Sequence, residues 1–228
     1  MWPFDIFKEK LTAPKKPYVA FHVAKTDSGN FKDFQRRLLT GSNIILVAGK
    51  RGSGKTAMGM KFLEFFKKTS RRKVYAVGFE DTKLPYGIKK SNDMDGISNN
   101  SVVLIDESAI TYGSRDAMKS SNKQLGRIMS IARHKNLSLI LIAQNSAMVD
   151  LNILRLADTI ILKEPSLLQT KFERKAIKEI YEKANKDFKE VENKKAHFYI
   201  MDDEFEGLIK FSLPEFWSDD ISTSFRNY

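Results

Sequence analysis

Gly49-Lys50-Arg51-Gly52-Ser53-Gly54-Lys55-Thr56 meets every fixed position of the pattern G-x-x-x-x-G-K-[ST]. An apolar run, Ile44-Ile45-Leu46-Val47-Ala48, stands before it, and a helical pattern over residues 57–68 follows. Strand, glycine-rich loop and helix in that order form a phosphate-binding loop. The glycines let successive backbone N–H groups turn toward one anion, and the helix start adds its positive dipole end. Gly49 through Ala57 would then line the phosphates of a nucleoside triphosphate. Lys55 would reach the β- and γ-phosphates, and the Thr56 hydroxyl would hold Mg²⁺. The expected ligands are ATP and Mg²⁺.

The rest of the composition narrows the class. A chain of 228 residues with 42% hydrophobic residues can bury one α/β core with additions. It has no cysteine, so neither disulfides nor thiolate metal sites contribute, and His22, His134 and His197 have no zinc spacing. No apolar run approaches the ~18 residues of a membrane span. The net charge of +11 suits a polyanionic partner, of which nucleic acid is the commonest. Near the N-terminus, Met1-Trp2-Pro3-Phe4-Asp5-Ile6-Phe7 is aromatic and precedes a basic stretch. It reads either as an arm packed on the body or as a docking peptide for a membrane surface or partner.

Outward from the loop, strands are expected over residues 18–24, 73–79, 101–105, 137–143 and 159–162. Helices are expected over 31–39, 56–68, around 123–134 and over 166–188. A turn is expected over 26–30 and an irregular segment over 83–100. Residues 197–201 and 205–211 form a hairpin that, with the first strand, could extend the sheet as an antiparallel edge. The alternation implies an α/β fold with a mainly parallel sheet covered by helices on both faces, plus a small C-terminal helix and hairpin. The expected organisation is residues 1–42 as N-terminal arm, strand and short helix, 43–165 as the core, and 166–228 as helix and hairpin packed on it.

Val102-Val103-Leu104-Ile105-Asp106-Glu107 is the second strong signal. A buried strand ending in Asp106 delivers a carboxylate to the edge where the phosphate loop lies, in reach of Mg²⁺. Glu107 is placed to orient or deprotonate a water. A third strand, Leu139-Ile140-Leu141-Ile142-Ala143, ends in Gln144. If it lies between the two nucleotide strands, that amide points at the γ-phosphate. Charge in the transition state calls for an arginine, and Arg133, Arg127 and Arg115 are candidates, with Arg133 preferred.

Val102–Glu107, then Arg133-His134, then Leu139–Gln144, then Asp150 and Arg155 resemble the FtsK/HerA superfamily of P-loop ATPases. Within it, the pattern is similar to Zot-type morphogenesis ATPases of filamentous phages and to genome-packaging ATPases of membrane-containing icosahedral viruses. The resemblance covers roughly residues 43–163. It implies a RecA-like core in a ring, usually a hexamer, with ATP at subunit boundaries, a trans arginine matched by Arg133, and double-stranded DNA in the channel. It also implies catalytic roles for Lys55, Glu107 and Gln144 and metal binding by Thr56 and Asp106.

The membrane segment of Zot-type proteins, the barrel of HerA and the nuclease of terminases have no counterpart here, which favours the packaging class. The expected function is an ATP-driven motor that packages viral DNA into a capsid. DNA would meet the loops at residues 83–90 and 119–123, and the N-terminal arm could touch a capsid or membrane vertex. The setting would be the host cytoplasm or the virion. A Zot-like ATPase for assembly or secretion is the alternative, followed by a slow nucleotide-gated binding module.

Overall fold

Successive apolar side chains of one central strand face opposite ways, and that sets the layers of the molecule. The computed structural model describes residues 18–79, 84–106, 117–143, 151–165 and 175–218. In chain order its first half holds β1 (Phe21–Gly29), α1 (Phe31–Thr40), β2 (Ile44–Ala48), α2 (Lys55–Thr69), β3 (Val74–Val77), β4 (Ile88–Ser91) and β5 (Val102–Asp106). Then come α3 (Ala117–His134), β6 (Ser138–Ile142), α4 (Leu151–Leu156), β7 (Thr159–Leu162), α5 (Lys175–Lys189), a 3-10 turn (Lys194–Ala196), β8 (His197–Asp202) and β9 (Phe205–Phe211).

Among the described residues these strands form one nine-stranded sheet in the order β1-β9-β8-β7-β2-β6-β5-β3-β4. From β7 to β4 every pairing is parallel. Parallel strands covered on both faces need apolar residues throughout, and β2, β5 and β6 are buried at every position. Ile45 and Val47 pack with Met58, Phe62 and Phe66 of α2 and Phe34 and Leu38 of α1. Ile44 and Leu46 face the other way, onto Met129 and Ala132 of α3. Tyr181, Ala184 and Phe188 of α5 cover Leu162, Tyr199 and Leu208.

The expected antiparallel edge forms: β8 pairs with β7, β9 with β8, and β1 with β9. Residues 26–30 are a correction, because Thr26–Gly29 continue β1 rather than turning. Tertiary contacts override the local turn preference there. The Tyr199 hydroxyl donates to Asp27 at 2.6 Å, and Lys25 pairs with Asp187 of α5. Residues 83–100 are likewise less irregular than expected, since Ile88–Ser91 form the edge strand β4 beside β3. The helix expected near residue 123 starts at Ala117, which puts Lys119 and Lys123 on α3 and not in a loop. The aromatic arm, residues 1–17, lies outside the described residues.

Candidate nucleotide-binding site

The loop between β2 and α2 has the backbone its sequence demands. Gly49, Gly52 and Gly54 have φ of 146°, 74° and 88°, a region costly for residues with a Cβ. A Cβ on Gly49 would also lie 2.8 Å from Lys163 Cβ, so this glycine is fixed by crowding as well as by conformation. Gly54 caps α2, and Met58 N–H donates to its carbonyl at 3.1 Å. Lys55 is buried, and its Nζ donates to the carbonyls of Gly49 at 2.8 Å and Lys50 at 3.1 Å. Ser53 Oγ is buried with no hydrogen-bond partner among the described residues, an orphan polar atom inside the cradle. Thr56 is half-buried in the first turn of α2. A cradle of turned glycines, a cation and an orphan hydroxyl fits a polyphosphate.

β6 lies between β2 and β5, the arrangement that brings the acid to the loop. Asp106 stands opposite Ile142, and Ile142 opposite Val47, so all three share one row at the strands' C-terminal edge. Two strand spacings, about 10 Å, separate the Asp106 and Val47 backbones. Asp106 is buried at this edge. Thr56 and Asp106 carry hard oxygen atoms of the kind that Mg²⁺ takes. The chain has the RecA-like P-loop NTPase fold.

Solved structures with this P-loop NTPase fold include the genome-packaging NTPase B204 of Sulfolobus turreted icosahedral virus 2 in complex with ATP-gammaS. It is 18% identical at a TM-score of 0.51, with 77% of this chain and all of that chain (100%) covered. The DNA-packaging ATPase B204 of Sulfolobus turreted icosahedral virus is 16% identical at 0.51, covering 76% of this chain and 100% of the other. The pCW3 conjugation coupling protein TcpA is 15% identical at 0.50, covering 82% of this chain and 65% of the other. At these identities the likeness is one of fold, and at that level it agrees with the FtsK/HerA resemblance. No protein-family model matches the sequence, and no curated protein sequence matches it.

Lys55, Thr56 and Asp106 of this P-loop NTPase thus meet at one sheet edge. Glu107 and Gln144 lie outside the described residues, as do Arg115 and Asp150; the strands leading to the first two end at Asp106 and just before Ala143. Arg133 is not brought to the loop. It is exposed in the last turn of α3, immediately before β6, where the parallel strands begin. One strand length, roughly 16 Å, separates that edge from the phosphate loop. Arg127 is engaged on the surface with Asp95 at 3.0 Å, and Arg155 is exposed at the end of α4.

Sequence reasoning missed the dipeptide beneath the loop. Lys163 N–H donates to Ala48 O at 2.8 Å, and Glu164 O accepts from Lys50 N–H at 3.1 Å. The Glu164 carboxylate bridges Lys50 at 2.5 Å and Lys194 at 3.1 Å. Burial alone would raise its pKa, but those two lysines hold it below the usual carboxylate range. Lys163 is fully buried, with Nζ 2.6 Å from the carbonyls of both Lys195 and His197 and 4.6 Å from the Phe211 ring centroid. Desolvation pushes its pKa down to about 7; Glu164 opposes this and Lys55 adds to it. The available signal was a Lys-Glu pair directly after a buried strand of the nucleotide sheet.

Proposed function

We propose that this chain is a Mg²⁺-dependent ATPase that moves double-stranded DNA, packaging a viral genome into a capsid. The observation that carries the ATPase reading is the convergence of the glycine cradle, Lys55, Thr56 and Asp106 at the C-terminal edge of β2 and β5. Mg²⁺, when bound, would neutralise charge between the β- and γ-phosphates. Lys55 would trade its loop carbonyls for phosphate oxygens, and Thr56 and Asp106 would hold the metal. Glu107 would take the proton of the attacking water, and Gln144 would orient that water. Arg133, exposed at the opposite edge, suits a neighbour's site better than its own, in keeping with a ring, six-membered by family analogy.

The surface supports a phosphate-rich partner. Lys67, Arg71, Lys73, Lys89 and Lys90 are exposed around the start of β3 and β4. Tyr86 stands 97% exposed on the turn before β4, where Lys67 bonds its carbonyl. A motor indifferent to sequence needs phosphate contacts and salt-sensitive affinity.

The deciding test is steady-state ATP hydrolysis with and without long duplex DNA at low and moderate salt. Salt-sensitive stimulation that vanishes in Glu107→Gln supports the DNA motor. Turnover indifferent to DNA shifts the reading to a protein-assembly ATPase. Parent-rate hydrolysis by Glu107→Gln removes the catalytic assignment.

A further inference from the structure

Lys55 is the cation that the sequence pattern assigns to the phosphates, yet a second buried lysine lies behind the same loop. The side chain of Lys163 passes under Gly49, whose hypothetical Cβ would touch its Cβ at 2.8 Å. It then passes under Gly54, whose Cβ would lie 3.9 Å from its Cε. Its amine ends on the carbonyls of Lys195 and His197, which tie the 3-10 turn to the underside of the loop. No carboxylate among the described residues lies within ion-pair distance of it, because the adjacent Glu164 is turned to Lys50 and Lys194.

We propose, resting on the nucleotide-binding reading above, that Lys163 is a positioning residue that serves the phosphate loop as a second cation from beneath, protonated when a triphosphate occupies the loop. Its surroundings allow this without rearrangement. A neutral amine has two N–H donors for the two carbonyls, and an ammonium keeps both bonds and adds a third donor above the Phe211 ring. Protonation therefore changes the charge and leaves the hydrogen bonds in place.

The neighbouring charged groups set the direction. Lys55 on α2 and Lys50 on the loop carry positive charge, as do Lys194 and Lys195 on the turn; among the described residues Glu164 is the nearby anion, and β9 offers only the Phe211 ring. From β8 the His197 carbonyl reaches the amine, and its imidazole Nδ1 is 2.8 Å from Asn193 O. Desolvation disfavours the charged amine and the field of Lys55 adds to that, holding its pKa near 7. A triphosphate that neutralises Lys55 removes the second effect and adds attraction. A proton then moves from bulk buffer to the Nζ lone pair, and by linkage nucleotide affinity falls as pH rises above 7.

The test is calorimetric titration of a non-hydrolysable ATP analogue with Mg²⁺ at pH 8, in two non-phosphate buffers with different ionisation heats. With Mg²⁺ in excess the terminal phosphate is ionised at that pH, so the nucleotide's own protons drop out. The parent should take up about half to one proton per nucleotide, and its affinity should weaken about three- to tenfold per pH unit between pH 7.5 and 9. Lys163→Arg, which stays charged, should bind with no uptake, and Lys163→Met should bind more weakly with no uptake. His197→Gln should keep the uptake.

No uptake by the parent, unchanged uptake in Lys163→Arg, or loss of uptake only in His197→Gln overturns the assignment. A purely structural lysine would change affinity or folding but not the proton count. Should Lys163→Met fail to fold, Lys163→Arg alone decides. A parent that binds no nucleotide at any pH sinks the functional reading itself, whereas binding without uptake sinks only the role of Lys163.

Discussion

Lys61 and Lys163 are both buried, and each amine lies over an aromatic ring, Tyr18 at 5.1 Å and Phe211 at 4.6 Å. Their counterions differ. Lys61 has Glu64 one helical turn away at 2.6 Å, and Glu64 also accepts from the Tyr18 hydroxyl at 2.6 Å and the Glu215 N–H at 2.7 Å. Burial would raise Glu64, but hydrogen bonds from Lys61 and Tyr18 outweigh it and hold its pKa below the usual range. Among the described residues Lys163 has carbonyls only, and its own acidic neighbour serves two other lysines. A cation that belongs to the scaffold is neutralised within its own helix. A cation under an anion-binding loop is left for its surroundings to charge.

The sharpest way to break the comparison is to remove Lys61. Lys61→Met leaves Glu64 buried without its cation and should cost about 3–5 kcal/mol, read from urea unfolding at pH 7. Adding Glu64→Gln should recover more than half of the loss, because a neutral amide needs no counterion and its oxygen can still accept a hydrogen bond.

Lys163 should make stability respond to pH. Its folded pKa lies below the ordinary lysine value, so between about pH 7 and 10 the unfolded chain holds a proton that the folded chain has released. The penalty is complete below pH 7 and is relieved as pH rises. Stability without nucleotide should therefore climb with pH, by at most about 1.4 kcal/mol per unit. In Lys163→Met that slope should disappear from denaturant curves at pH 7, 8 and 9, once alkaline effects common to both proteins are subtracted.

Glycine replacements sharpen the picture at smaller scale. Gly49→Ala meets both the Cβ of Lys163 and its carbonyl oxygen at 2.9 Å, and should cost about 1–3 kcal/mol and abolish nucleotide binding. Gly52→Ala meets nothing within 4 Å among the described residues, so its positive φ sets the cost, about 1 kcal/mol. Thermal unfolding together with nucleotide titration separates the two. Smallest of all, Arg127→Ala breaks a surface pair with Asp95 and should change stability by less than about 0.5 kcal/mol.

Legibility in the sequence followed burial. β7 spans the residues expected, and β2 spans the apolar run before the loop, because uninterrupted apolar runs beside a glycine loop have few other fates. β6 does lie between the two nucleotide strands, the condition on which the reading of Gln144 depended. The second half of β1 and the whole of β4 were not legible. Thr26-Asp27-Ser28-Gly29 and Ile88-Lys89-Lys90-Ser91 are mostly polar, and what holds them in the sheet is pairing with β9 and β3. α4 was missed because six residues give too little periodicity. Within the site, Lys55 and Thr56 were read from the spacing of the glycine loop, and Asp106 from its place at the end of an apolar strand. Lys163 and Glu164 escaped because their partners, the carbonyls of Lys195 and His197 and the side chain of Lys194, are remote in sequence and become neighbours only when β8 pairs with β7.

The pairing of β1 with β9 also constrains how the polypeptide can be made. Phe21 is opposite Phe211 and Gly29 opposite Phe205, so the first described strand waits on the ribosome until almost the whole described chain has been translated. The parallel strands β2 to β7 find their partners among themselves before that point. The final fold is then closed by an early segment annealing to a late one, a slow, long-range step of high contact order. Until it happens, β9 displays an open edge to every other nascent chain nearby.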